Sequence, residues 1–139
     1  MYQKTILPNG IRVISEAISH LRSFTVGFFY RVGSQDESPE ENGLSHALEH
    51  LMFKGTPTRT ARDIAEAFDA IGGQLNAFTT REYTCYYGRG LDEFLPVSLE
   101  IMADMLLNAS FPPEELEKEK AVILEEIKMY DDEPEEVVH

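Results

Sequence analysis

Apolar and polar residues alternate along some stretches of this chain and recur at helical spacing along others, with glycine and proline marking the changes. Near the start, Thr5-Ile6-Leu7 and Ile11-Arg12-Val13-Ile14 flank Pro8-Asn9-Gly10, the pattern of a β-hairpin. Phe24 to Tyr30 reads as a third strand, and the polar stretch Gly33 to Asn42 as a loop. In Gly43 to Phe53, Leu44, Ala47, Leu48 and Leu51 surround a polar stripe, which predicts a mostly buried helix. Thr60 is placed to cap a helix over Ala61 to Ile71, with Asp63 in its first turn and Gly72-Gly73 ending it. Gln74 to Thr79 and Glu82 to Gly88 follow as strands joined by a tight turn at Thr80-Arg81. Leu91 to Asn108 is helical in pattern, but a proline is awkward in a helix interior, so the helix is expected to begin just before Pro96. The last helix is expected over Pro113 to Tyr130. Glu114 and Glu115 lie in its first turn, and Leu116, Ile123, Ile127 and Tyr130 form its apolar stripe.

Helices interspersed with hairpin-linked strands predict an α+β fold, a largely antiparallel sheet packed with helices. At 139 residues the chain has room for one core, so 1–139 is read as a single domain. No run of 18 apolar residues and no signal-peptide pattern is present, so no membrane partner and a cytoplasmic location are expected. One cysteine, Cys85, excludes an internal disulfide framework, and its alternating surroundings assign it to sheet packing. The net charge of −13 opposes nucleic acid as a partner, because phosphates would be repelled, and favours basic peptides. The acidic run Asp131 to Glu136 is read as a solvated loop.

The residues with the most chemistry are His46-Ala47-Leu48-Glu49-His50. On a helix, positions i, i+3 and i+4 share a face, so both imidazoles and the carboxylate converge. Two neutral imidazoles and one further ligand hold a zinc ion with a position open for water, and a carboxylate that is not a ligand can take that water's proton. The order H-x-x-E-H, the reverse of H-E-x-x-H, marks the inverzincin peptidases. The bland alternative is a solvent-facing helix that carries these residues by accident.

A third ligand must come from another element, since one turn of helix cannot surround the ion. Glu119 and Glu126 are seven apart on one face of the last predicted helix, and apolar neighbours favour a buried role for Glu126. Spacing alone does not choose between Glu125 and Glu126.

Gly43 to Thr56 (GLSHALEHLMFKGT), Gly72 to Thr79 (GGQLNAFT), Glu82-Tyr83-Thr84 and Val122 to Met129 (VILEEIKM) together resemble the pitrilysin/insulinase family. The nearest branch is the bacterial proteins similar to the mitochondrial processing peptidase. The resemblance implies zinc bound by His46, His50 and Glu126, with Glu49 as general base and Glu119 orienting a ligand from behind. It also implies that Gln74 to Thr79, which by pattern alone reads as an inner strand, lies at a sheet edge and pairs with the substrate backbone. Asn76, Ala77 and Glu82 then become substrate-binding candidates. The implied activity is that of a zinc-dependent metalloendopeptidase acting on unfolded or extended, basic peptides.

Members of the family close as a clamshell of four similar domains. The chain is therefore expected to form part of the first, zinc-binding domain, truncated at its end. It would need the remaining domains or a homologous partner, such as a second copy. The resemblance also admits a non-catalytic scaffold or partner subunit, but those lose motif residues that are all present here. His20 and His139 have no neighbouring ligand types and are read as bystanders.

Overall fold

In the computed structural model, residues 1–131 are described. Five strands and four α-helices follow one another as β1 (Tyr2–Ile6), β2 (Arg12–Glu16), β3 (Ser23–Tyr30), α1 (Leu44–Leu51), α2 (Ala61–Ala70), β4 (Gln74–Thr79), β5 (Thr84–Leu91), α3 (Leu95–Asn108) and α4 (Pro113–Asp131). The fold is α+β with antiparallel sheets, as expected. The strands do not form one sheet, however. β1 and β2 pair only with each other, while β3, β5 and β4 form a three-stranded sheet with β5 in the middle.

The hairpin is set by its turn. The Gly10 amide donates to the Leu7 carbonyl at 2.9 Å, and Gly10 takes the positive φ of +88° that the turn requires. All ten residues of β1 and β2 are exposed, so the hairpin adds nothing to the core.

The core forms where α2 and α3 lie on one face of the larger sheet. Ile64 and Phe68 from α2, Ile101, Met102 and Met105 from α3, and Tyr86 from β5 are buried together. Val26, Phe28, Leu75 and Ala77 pack against them. Full burial of each large apolar side chain is worth about 1.5–3 kcal/mol, so these residues of α2 and α3 contribute much of what holds the helices to the sheet. Cys85 is buried on β5, as its surroundings imply. Thr60 accepts from the Asp63 amide and Asp63 from the Thr60 amide, a reciprocal cap that starts α2. α3 begins at Leu95, with Pro96 in its first turn.

Four sequence expectations change. β5 starts at Thr84 rather than Glu82, because Thr80 N–H donates to the Tyr83 carbonyl and Thr80 Oγ1 accepts from Tyr83 N–H, closing a longer turn. The stretch read as a loop from Gly33 to Asn42 contains two short 3-10 turns, Ser34–Asp36 and Pro39–Glu41. α1 is less buried than its apolar positions imply. Leu44 is 47% and Leu48 40% exposed, because among the described residues this two-turn helix packs mainly on α4, β4 and the turn Ser34–Asp36. Finally, α4 takes in Asp131, the first residue of the acidic run expected as a loop. The rest of that run and His139 lie outside the described residues, as do the side chains of Ile127 and Tyr130.

Candidate metal centre

α1 carries His46, Glu49 and His50, and its start is held by a residue from the preceding loop. Glu37 Oε1 accepts from the Ser45 amide at 2.6 Å and Oε2 from the Gly43 amide at 2.7 Å, filling the orphan donors of the first turn. Partial burial works against the Glu37 charge, but the Ser45 and Gly43 hydrogen bonds outweigh it and hold the carboxyl below its ordinary value. Gly43, the residue before the helix, has φ +89°, which lets the chain enter at this angle.

The two histidine rings meet edge to face with centroids 4.7 Å apart. Their Nε2 atoms are separated by 3.1 Å, and Glu126 Oε2, arriving from α4, lies 3.4 Å from the first and 3.5 Å from the second. Glu125 points elsewhere and pairs with Lys128 at the surface. Of these two glutamates, Glu126 is the one the fold brings to the histidines. These three atoms form the metal-capable group among the described residues. Zinc bonded at about 2.0–2.1 Å in a tetrahedron places its ligand atoms roughly 3.3–3.4 Å apart, close to the 3.1, 3.4 and 3.5 Å sides of this triangle. His46, His50 and Glu126 therefore fit zinc, and their half-buried setting leaves an approach for water.

Behind His50 stands Glu119, also from α4, whose Oε2 lies 2.9 Å from His50 Nδ1. A carboxylate only accepts, so the His50 proton sits on Nδ1 and the Nε2 lone pair faces the cluster. Lys54 Nζ reaches the other Glu119 oxygen at 2.6 Å. Burial opposes the charge on Glu119, yet hydrogen bonds from Lys54 and His50 prevail and keep it ionised below the ordinary glutamate range.

Glu49 is bound differently. Its Oε2 accepts a hydrogen bond from Thr79 Oγ1 at 2.5 Å, tying it to the last residue of β4. Beneath it, burial and then the Glu49 charge raise the pKa of Tyr86, so that hydroxyl stays neutral.

β4 pairs with β5 on one side and with no other described strand, so it is an edge rather than the inner strand its pattern implies. Asn76 and Ala77 both lie on it, and the Ala77 amide donates to Asn76 Oδ1 at 2.8 Å. A cleft of about 480 Å³ runs between β4 and α2, over Ile64, Phe68, Leu75 and Asn76. Glu82 sits on the exposed turn between β4 and β5, and the fold does not bring it into the cluster. Thr79, Lys54 and Glu37 were not foreseen from sequence. Each acts across elements, and only Lys54, four residues past His50, left even a spacing signal.

The chain belongs to the insulinase family of peptidases (M16), whose family model matches residues 12–139. It is 50% identical over 139 residues to an uncharacterised zinc protease of Bacillus subtilis, covering all of this chain and 34% of that protein. With an uncharacterised zinc protease of Streptomyces coelicolor it shares 48% identity over 137 residues, covering 99% of this chain and 30% of that one. The fold superposes on the crystal structure of a protease from Helicobacter pylori with a TM-score of 0.92 at 29% identity, covering 99% of this chain and 33% of that one. The chain thus spans about a third of the length of the curated relatives it matches.

Proposed function

We propose that this chain carries the catalytic zinc site of a metalloendopeptidase that hydrolyses extended peptides, in the manner of a processing peptidase. The observation that carries the reading is the triangle of His46 Nε2, His50 Nε2 and Glu126 Oε2 at spacings close to those of a tetrahedral zinc site; Glu49, three residues beyond His46 on α1, is expected from helical spacing to face the same way. His46, His50 and Glu126 would hold the ion. Zinc, when bound, makes water acidic enough to lose a proton near neutral pH and polarises a carbonyl.

The remaining work falls to side chains and backbone. Glu49, steadied at one oxygen by Thr79, takes a proton from the attacking water and returns it to the amine that leaves as the peptide bond breaks. Glu119 keeps the His50 ring turned so that Nε2 faces inward. The free edge of β4 offers main-chain groups to an extended peptide, and the cleft beside it gives that peptide room. Asn76 and Ala77 are the assigned contacts on this edge, and Glu82 takes a rim position suited to a basic side chain. Main-chain pairing reads extended backbone more than sequence, which fits unfolded peptides as the substrate class. Relatives three times as long carry further segments that could form the opposite wall, or a partner of the same family could supply it.

The test is cleavage of a quenched arginine-containing peptide, with zinc content measured alongside. Supplied with the remaining domains or a homologous partner, the protein is expected to cleave and to stop on chelation. Glu49→Gln is expected to bind zinc as before but to lose about 10²- to 10⁴-fold in rate. Substantial turnover by Glu49→Gln, or a protein that binds no zinc, would overturn the assignment.

A further inference from the structure

We propose that Lys54 is a positioning residue of the metal centre, acting on His50 through Glu119; the proposal rests on the zinc reading above. Lys54 lies four residues beyond His50, just past α1, where the chain is still turning: Phe53 N–H donates to the His50 carbonyl at 3.3 Å and Lys54 N–H to the Leu51 carbonyl at 3.1 Å. The two side chains consequently project on one side. Glu119 enters between them from α4, with Oε2 on His50 Nδ1 at 2.9 Å and Oε1 on Lys54 Nζ at 2.6 Å. Its side chain is only 9% exposed.

A carboxylate at that depth needs both oxygens satisfied and its charge balanced. His50 Nδ1 satisfies one oxygen. Lys54 supplies both the second hydrogen bond and the countercharge. The terminal torsion of a glutamate is broad and roughly two-fold, so a single anchor leaves the carboxylate free to swing. Two anchors fix its plane, which fixes the acceptor at Nδ1 and with it the direction of the Nε2 lone pair.

Lys54 is itself well founded. The Gly55 carbonyl accepts from the Ser110 amide at 3.0 Å, Gly55 bridges to Thr60, and Asp104 of α3 gathers Thr56 Oγ1, Thr58 Oγ1 and Arg59. The segment that carries the ammonium group is thereby fastened to the core helix, and the ammonium is in turn fastened to the glutamate behind the ligand.

Lys54→Met, which keeps length and removes charge, and Lys54→Arg form the test, with Lys54→Gln in reserve if the methionine variant fails to fold. Two quantities are read on the protein: zinc affinity by chelator competition, and the His50 tautomer in the metal-free state by long-range ¹⁵N–¹H NMR. Lys54→Met is expected to bind zinc about tenfold more weakly and to lose the dominance of the Nδ1–H form. Lys54→Arg is expected to restore both, and Lys54→Met added to Glu119→Gln should cost no further affinity. Unchanged zinc affinity with an unchanged tautomer in Lys54→Met overturns the proposal, even if that variant melts at a lower temperature. Absence of zinc binding by the wild type sinks the zinc reading alone, because the tautomer comparison still decides whether Lys54 governs His50.

Discussion

Thr79 does for Glu49 what Glu119 does for His50: one partner at one atom sets the direction of a reactive group. Removing the hydroxyl leaves the carboxylate free to turn away from its proton donor. Thr79→Val is therefore expected to slow hydrolysis on the order of ten- to a hundredfold while zinc affinity stays put. Equal rates in the two proteins would show that Glu49 needs no such hold. At this scale the sequence was legible where chemistry is local. His46, Glu49 and His50 declare themselves because a helix repeats every three to four residues. By spacing, Glu126 was legible only as far as a choice with Glu125, and the family resemblance made that choice for Glu126; the fold brings Glu126 to the histidines and leaves Glu125 with Lys128. Thr79 carried no signal, because nothing in its own strand says that a glutamate from α1 lies opposite.

Among the elements, the loop between β3 and α1 depends on one missing side chain. A Cβ on Gly33 would stand 2.4 Å from the Thr80 carbonyl oxygen and 2.6 Å from the backbone of Arg81, where Ser34 and Gln35 N–H groups bind the β4–β5 turn. Backbone on both sides leaves no flexible group to yield. Gly33→Ala should destabilise the protein by about 1–3 kcal/mol in denaturant unfolding. A change within error would mean that the loop can lift away freely. Caps and breakers made several element boundaries legible, the Thr60–Asp63 pair and Pro96 among them. Strand order was not, because alternation along a strand does not say whether it has one neighbour or two. For that reason the pattern alone gave an inner strand for β4, whose edge position only the family resemblance implied, and the pairing of β1 with β2 alone among the described strands emerges only in three dimensions.

For the molecule as a whole, some of the carboxylates behind the net charge of −13 are held in place by hydrogen-bond donors. Asp104 collects hydrogen bonds from Asn108, Thr56 and Arg59, and these hold its carboxyl well below the usual aspartate range. A depressed folded-state pKa contributes stability in full above the ordinary value, and that stability is lost as pH falls through the folded one. Asp104→Asn should thus be less stable than the wild type at neutral pH, with the gap narrowing once pH drops below the ordinary aspartate range. Parallel stability-against-pH curves for the two proteins would rule this out. The net charge and the α+β class were legible in the composition and the pattern. The Asp104 knot was not, because Thr56, Thr58 and Arg59, which donate to it beside the nearby Asn108, lie more than forty residues away along the chain.

The ligand triangle has a topological consequence. His46 and His50 come from α1 and Glu126 from α4, with α2, β4, β5 and α3 all lying between them in sequence. Of the other elements, α4 touches α1 most extensively. An ion bound there would act as a clasp across most of the chain, drawing part of its affinity from the folding of everything it encloses. It would depart mainly when α4 lifts, so metal exchange in this protein would be paced by the opening of one helix rather than by ligand chemistry.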